Sequence, residues 1–149
     1  MTNSKSKIRI SSVITAIIIL FLTIFIIAQI SIIDNYKFKI DTLDDIFESC
    51  FAKLCNNLNI SYDDESARDE WNKDNAKYSY LIMTVFPLTS YSDCLELHDI
   101  IYKLYNICSE NTAYDSLDYD TIRSLNRLSQ NLTDNILLDE VHDTFCNIE

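Results

Sequence analysis

The 149-residue chain has only two histidines, and each stands four residues from a cysteine. Cys94 precedes His98, and His142 precedes Cys146. On a helix, positions i and i+4 project on one face about 40° apart. Two such pairs on facing helices would offer two thiolates and two imidazoles, the donor set of a structural zinc site. The plainer reading makes Cys94 and Cys146 disulfide or core cysteines beside boundary histidines. It is favoured because spacing alone is a weak signal and an oxidising compartment removes free thiols.

Each histidine is followed by an aspartate, His98-Asp99 and His142-Asp143. These pairs resemble fragments of a His-Asp metal-dependent phosphohydrolase signature, but the remaining ligands and the length of such a domain are missing. A Cys94/His98 nucleophile–base pair lacks an assignable orienting group and oxyanion donor. The chain has no glycine. That excludes a Gly-rich phosphate cradle, a dinucleotide fingerprint and a nucleophile elbow. No catalytic or cofactor-binding residue is assigned, and the expectation is a protein that is not an enzyme and needs no cofactor.

The five cysteines are Cys50, Cys55, Cys94, Cys108 and Cys146. In an oxidising compartment all five are disulfide candidates, with one left over to be buried and inert or to join two chains. Cys94 and Cys108 are fourteen residues apart, about 21 Å along a helix, so they cannot pair with each other on an intact one. Asn59-Ile60-Ser61 and Asn131-Leu132-Thr133 are glycosylation acceptors if this part of the chain enters a secretory lumen.

The element that must position all of this is an uncharged run from Ile10 to Ile33, between Arg9 and Asp34. Twenty-four helical residues reach about 36 Å, enough to cross a ~30 Å hydrocarbon core with some tilt. A cleaved signal peptide would have a shorter apolar region and a small-residue cleavage site, and none closes this run. The expected organisation is a short cytosolic tail (residues 1–9), a signal-anchor helix (10–33), a juxtamembrane segment (34–40) and an acidic helical domain (41–149). Lys5, Lys7 and Arg9 outnumber Lys37 and Lys39 on the other flank, which favours a type II orientation. Tyr36 and Phe38 suit the headgroup layer. Ser12 and Ala16 form a weak small-xxx-small pair. With the polar Thr15, Thr23 and Gln29, they offer one route to a homo-oligomer.

All 23 acidic residues follow the run, with nine basic ones, a formal charge of −14. Nucleic acid is excluded as a natural partner, because its phosphates would be repelled. Without glycine, and with Pro87 alone, many tight β-turns are disfavoured and helices favoured. The fold class expected is all-α, one transmembrane helix followed by a small four- or five-helix bundle. The spacing predicts a helix over 41–58, N-capped by Thr42, with a stripe of Leu43, Ile46, Phe47, Cys50, Phe51, Leu54, Cys55 and Leu58. A second helix is expected over 66–86 with Trp71, Tyr78, Ile82 and Val85 inward, a short strand around 78–86 being the alternative. A third is expected over 93–109, opened by an Asp93/Glu96 capping box, with Cys94, Leu97, Ile101, Leu104, Tyr105 and Cys108 inward. The stretch 118–148 is expected to break at Thr133 and Asp134, with Ile122, Leu125, Ser129 and Leu132 before the break and Leu138, Val141 and Phe145 after it.

These features lead to the expectation of a single-pass membrane protein whose acidic domain meets an unidentified protein partner on a cell, organelle or virion surface. The residue usage resembles that of an AT-rich genome, such as a large DNA virus or an AT-rich microbe. The alternative is a cytosol-facing, membrane-tethered adaptor stabilised by zinc on Cys94, His98, His142 and Cys146.

Overall fold

The computed structural model describes residues 3–59, 65–110 and 117–146, with side chains from Val13 in the first helix and from Ala67 in the second. The described residues form five helices, α1 (Asn3–Leu58), α2 (Glu65–Val85), α3 (Leu95–Ser109), α4 (Tyr119–Gln130) and α5 (Asn135–Cys146). A 3-10 turn, Phe86–Leu88, follows α2. No strand occurs among the described residues. The chain divides into two compact units, Met1–Lys39 and Ile40–Glu149.

In the first unit every described side chain from Val13 to Lys39 is exposed. Thr23 donates its hydroxyl to the Ile19 carbonyl, 2.9 Å away.

The second unit is an up-and-down bundle around one apolar core. From α1 it buries Phe47, Phe51, Leu54, Cys55 and Leu58, the inner part of the expected stripe, while Ile46 stays exposed. The two ends of the bundle are fixed by contacts. At the Ile40 end, the rings of Phe47 and Phe86 stand 5.7 Å apart. At the Leu58 end, Trp71 Nε1 donates to the Asn57 carbonyl at 2.6 Å. Helices α1 and α2 are therefore antiparallel. Asn126 of α4 donates to the Cys55 carbonyl at 3.0 Å. Asp99 faces His142, and Lys103 Nζ reaches the Phe145 carbonyl, so α3 and α5 run parallel.

Helix ends follow local chemistry, with two departures from expectation. Helix α1 does not start at Asp41 with Thr42 as its cap. It is helical throughout from Asn3 to Leu58, because no glycine, proline or capping break intervenes. Asp44 lies inside α1, more than a turn past Ile40. Its two oxygens accept from Ser90 N at 2.8 Å and Ser90 Oγ at 2.7 Å, pinning the α2–α3 loop to α1. Tyr91 adds a hydroxyl bond to Glu48 at 2.5 Å. Helix α3 lacks the Asp93/Glu96 box: its N-cap is Cys94, which makes no side-chain capping bond.

Elsewhere the local signals hold. Pro87 sits in the turn that ends α2, where its ring and missing N–H cannot continue an α-helix, and residues 78–85 are helix rather than strand. Asp118 caps α4, accepting from Thr121 N at 2.7 Å. Asp134 accepts from Leu137 N at 3.1 Å, which starts α5 at the expected break.

Candidate functional site

Helices α3 and α5 lie side by side and enclose an open cleft of about 450 Å³, lined by Asp99, Tyr102, Lys103, Asn106, His142 and Cys146. Asp99 is its hub. Its Oδ1 stands 3.4 Å from His98 Nδ1 and its Oδ2 stands 3.5 Å from His142 Nε2. The other nitrogen of His142 faces Asp143 at 3.8 Å. His98 also stacks on Tyr102, with ring centroids 6.5 Å apart and planes 9° from parallel. Lys103 holds the C-terminal turn of α5 by its bond to the Phe145 carbonyl, with Nζ 5.0 Å from the centre of the Phe145 ring.

This arrangement brings the two histidines to one carboxylate but leaves the cysteines apart. Cys94 caps the start of α3, whereas Cys146 ends α5 at the level of Lys103. Nine residues of α3 separate those levels, about 13 Å. Two thiolates on one zinc lie about 2.3 Å from the metal each. The set Cys94, His98, His142 and Cys146 is thus not assembled. Spacing had placed each pair on one face without revealing that the two helices run parallel, which throws the cysteines to opposite ends. Among the described residues, no three His, Cys, Asp or Glu side chains are grouped to hold a metal ion.

No disulfide joins any two of the five cysteines in the structure. Cys55 and Cys108 are buried in the core, and Cys50, Cys94 and Cys146 are half-buried. Burial is the main force on the ionisation of Cys55, Cys94, Cys108 and Cys146. It pushes Cys108 up to about 12, partly offset by a hydrogen bond with Ser79. It raises Cys55 further, and the nearby Cys108 adds to the effect. Cys94 is raised by burial and by the Glu96 carboxylate, which its thiol meets at 3.6 Å. Cys146 is raised by burial and by Asp99, against the opposing pull of Lys103. A raised thiol pKa is the reverse of what nucleophilic catalysis requires. Both ring nitrogens of His142 face carboxylates, Asp99 at 3.5 Å and Asp143 at 3.8 Å.

Of the two glycosylation acceptors, Asn131 is exposed at the end of α4, and Thr133 donates to its side-chain oxygen at 3.0 Å. Asn59 is exposed after α1, while Ile60 and Ser61 lie outside the described residues. Two polar features escaped the sequence reading. The Asp44–Ser90 clamp joins residues 46 apart and leaves no local signal. Asn75 is fully buried, and neither atom of its amide has a partner among the described residues. Its only trace in the sequence is its place four residues after Trp71 on a helix. The chain matches no known protein family, no curated protein and no solved structure.

Proposed function

We propose that this is a non-enzymatic, single-pass membrane protein. Residues 10–33 are its signal-anchor, and the acidic bundle is presented on the non-cytosolic face for contact with another protein. One observation carries the reading. The N-terminal helix has a mean hydropathy of 2.9 in its most apolar stretch, and none of that stretch is buried inside the protein. A soluble core helix of that composition would be covered by its own fold. A signal peptide would be shorter and would end in a cleavage site. The basic N-terminal flank supports a cytosolic N-terminus, and the surplus of carboxylates on the bundle favours a partner with a basic surface.

Alkaline carbonate extraction of membranes from expressing cells, followed by protease protection of a C-terminal tag, tests the reading. The full-length chain should stay in the membrane pellet, with the tag protected inside intact microsomes and Asn59 or Asn131 glycosylated there. A mature chain starting between Ala28 and Asp34 would refute the anchor. A tag digested in intact microsomes would reverse the orientation and favour the cytosol-facing adaptor.

A further inference from the structure

Exposed apolar side chains of the bundle are unevenly placed. Among the described residues from Ile40 onward, the exposed large aliphatic side chains are Ile40, Ile46, Leu88, Leu95 and Ile136. The other large exposed apolar groups are Tyr80, Tyr102 and Tyr119, each carrying a hydroxyl. All five aliphatic residues lie at the Ile40 end. Ser90 and Tyr91 bond to Asp44 and Glu48, which places the turn bearing Leu88 beside the start of this unit's part of α1. Leu95 opens α3 four residues later, after a tight turn closed by Cys94 N to the Tyr91 carbonyl at 2.9 Å. Since α3 and α5 run parallel with Asp99 opposite His142, Ile136 falls near the level of residue 93. Leu88, Leu95 and Ile136 are 59, 73 and 82% exposed, at three separate turns of one end.

We propose that this rim docks on the surface of the bilayer that holds the anchor, with Leu88, Leu95 and Ile136 entering the interfacial layer. The inference rests on the membrane reading given above. The covalent tether decides the occupant. Only residues 34–40 separate the apolar run from this end, about 10 Å of helix. The rim is thus held at high effective concentration next to lipid, where a few aliphatic side chains suffice to engage the interface. Isolated exposed leucines are ordinary on protein surfaces, but the placing of all five described ones at a single end is not. Charge narrows the lipid further. Asp41, Asp44, Asp45, Asp93 and Asp134 belong to the same end, so the surface that fits is zwitterionic, and anionic lipid is repelled.

Full-length protein in phosphatidylcholine vesicles carrying brominated acyl chains provides the test. Trp71, the only native tryptophan, lies at the Leu58 end, and its emission should be little changed by the bromines. Leu95→Trp and Ile136→Trp, each made with Trp71 retained, should lose roughly a third or more of their emission to bromine quenching at interfacial depth. Replacing half the lipid by phosphatidylglycerol should reduce that loss. Chains that float with the vesicles but show no quenching beyond wild type at either position would overturn the docking alone. So would self-association of the bundle with the introduced tryptophans unquenched, which would assign the rim to a second copy. Failure to float with the vesicles would overturn the anchor itself, and this inference with it.

Discussion

Two stretches of one helix, Val13–Ile33 and Phe47–Leu58, are both apolar, yet the first is exposed at every described position and the second is buried on one face. The difference lies in pattern. The first stretch is apolar all round, with no charge from Ile10 to Ile33. No single neighbouring face can cover such a cylinder, whereas lipid can. The second alternates, placing Lys53 and Asn56 outside while Phe47, Phe51, Leu54 and Leu58 meet α2 to α5. Hydrophobicity by itself makes a helix seek cover. Its angular distribution decides whether that cover is solvent-like and isotropic or a packed partner.

The largest effects should separate the two stretches. Phe47→Ala and Leu54→Ala each create a cavity in a fully buried site and should lower bundle stability by about 2–5 kcal/mol in chemical denaturation, without changing membrane partition. Ile18→Arg with Leu22→Arg should do the reverse. Each central arginine costs about 2.5–3.5 kcal/mol of insertion, read as loss from the carbonate-resistant pellet, and the bundle should unfold as before. Equal effects of both pairs in both assays would dissolve the distinction.

Smaller effects sharpen the picture of the bundle. Asp44→Ala removes two hydrogen bonds to Ser90 and frees the α2–α3 loop, so a loss of about 1–3 kcal/mol in thermal or chemical unfolding is expected, with faster amide exchange at Ser90. Asp118→Ala removes the cap of α4 and should cost about 1 kcal/mol. The Thr121 N–H holds the Asp118 carboxyl below its ordinary value. This contribution is present above the unfolded pKa of about 3.9 and is lost as pH falls through the lower folded value. Asp118→Asn keeps an acceptor but cannot ionise, so its unfolding should show a shallower decline in acid. Asn75→Leu should be neutral or mildly stabilising, because it removes a buried amide with no partner among the described residues. Under differential alkylation of native protein, Cys55 and Cys108 should react only on unfolding, and Cys50 ahead of both.

Much of the fold is legible in the residues. The stripe Phe47, Phe51, Leu54 and Leu58, the stop at Pro87 and the break at Asp134 all follow from period, ring geometry and capping. What escapes the sequence is what depends on distant chain. Thr42 and the Asp93/Glu96 pair carry capping chemistry, yet the helical signal running through residues 34–41 overrides the first, and α3 starts at Leu95, inside the second. In α2 the inward stripe includes Asn75 and Ser79, polar residues that an apolar-period reading passes over. The Cys/His spacing anticipates that His142 and Cys146 line one side of α5, whereas Cys94 caps α3 outside the helix that carries His98. Spacing says nothing of helix direction, and direction is what separates Cys94 from Cys146 and gathers His98 and His142 on Asp99.

The central claim is that a single helix has two kinds of cover, lipid over one stretch and protein over the other. Amide hydrogen exchange, residue by residue, on the full-length chain in phosphatidylcholine vesicles measures this directly. The account predicts slow exchange over both 13–33 and 47–58. Adding denaturant at concentrations that unfold the bundle should release the second stretch and leave the first protected. Release of both stretches together, or solvent-rate exchange over 13–33 in intact vesicles, would contradict it.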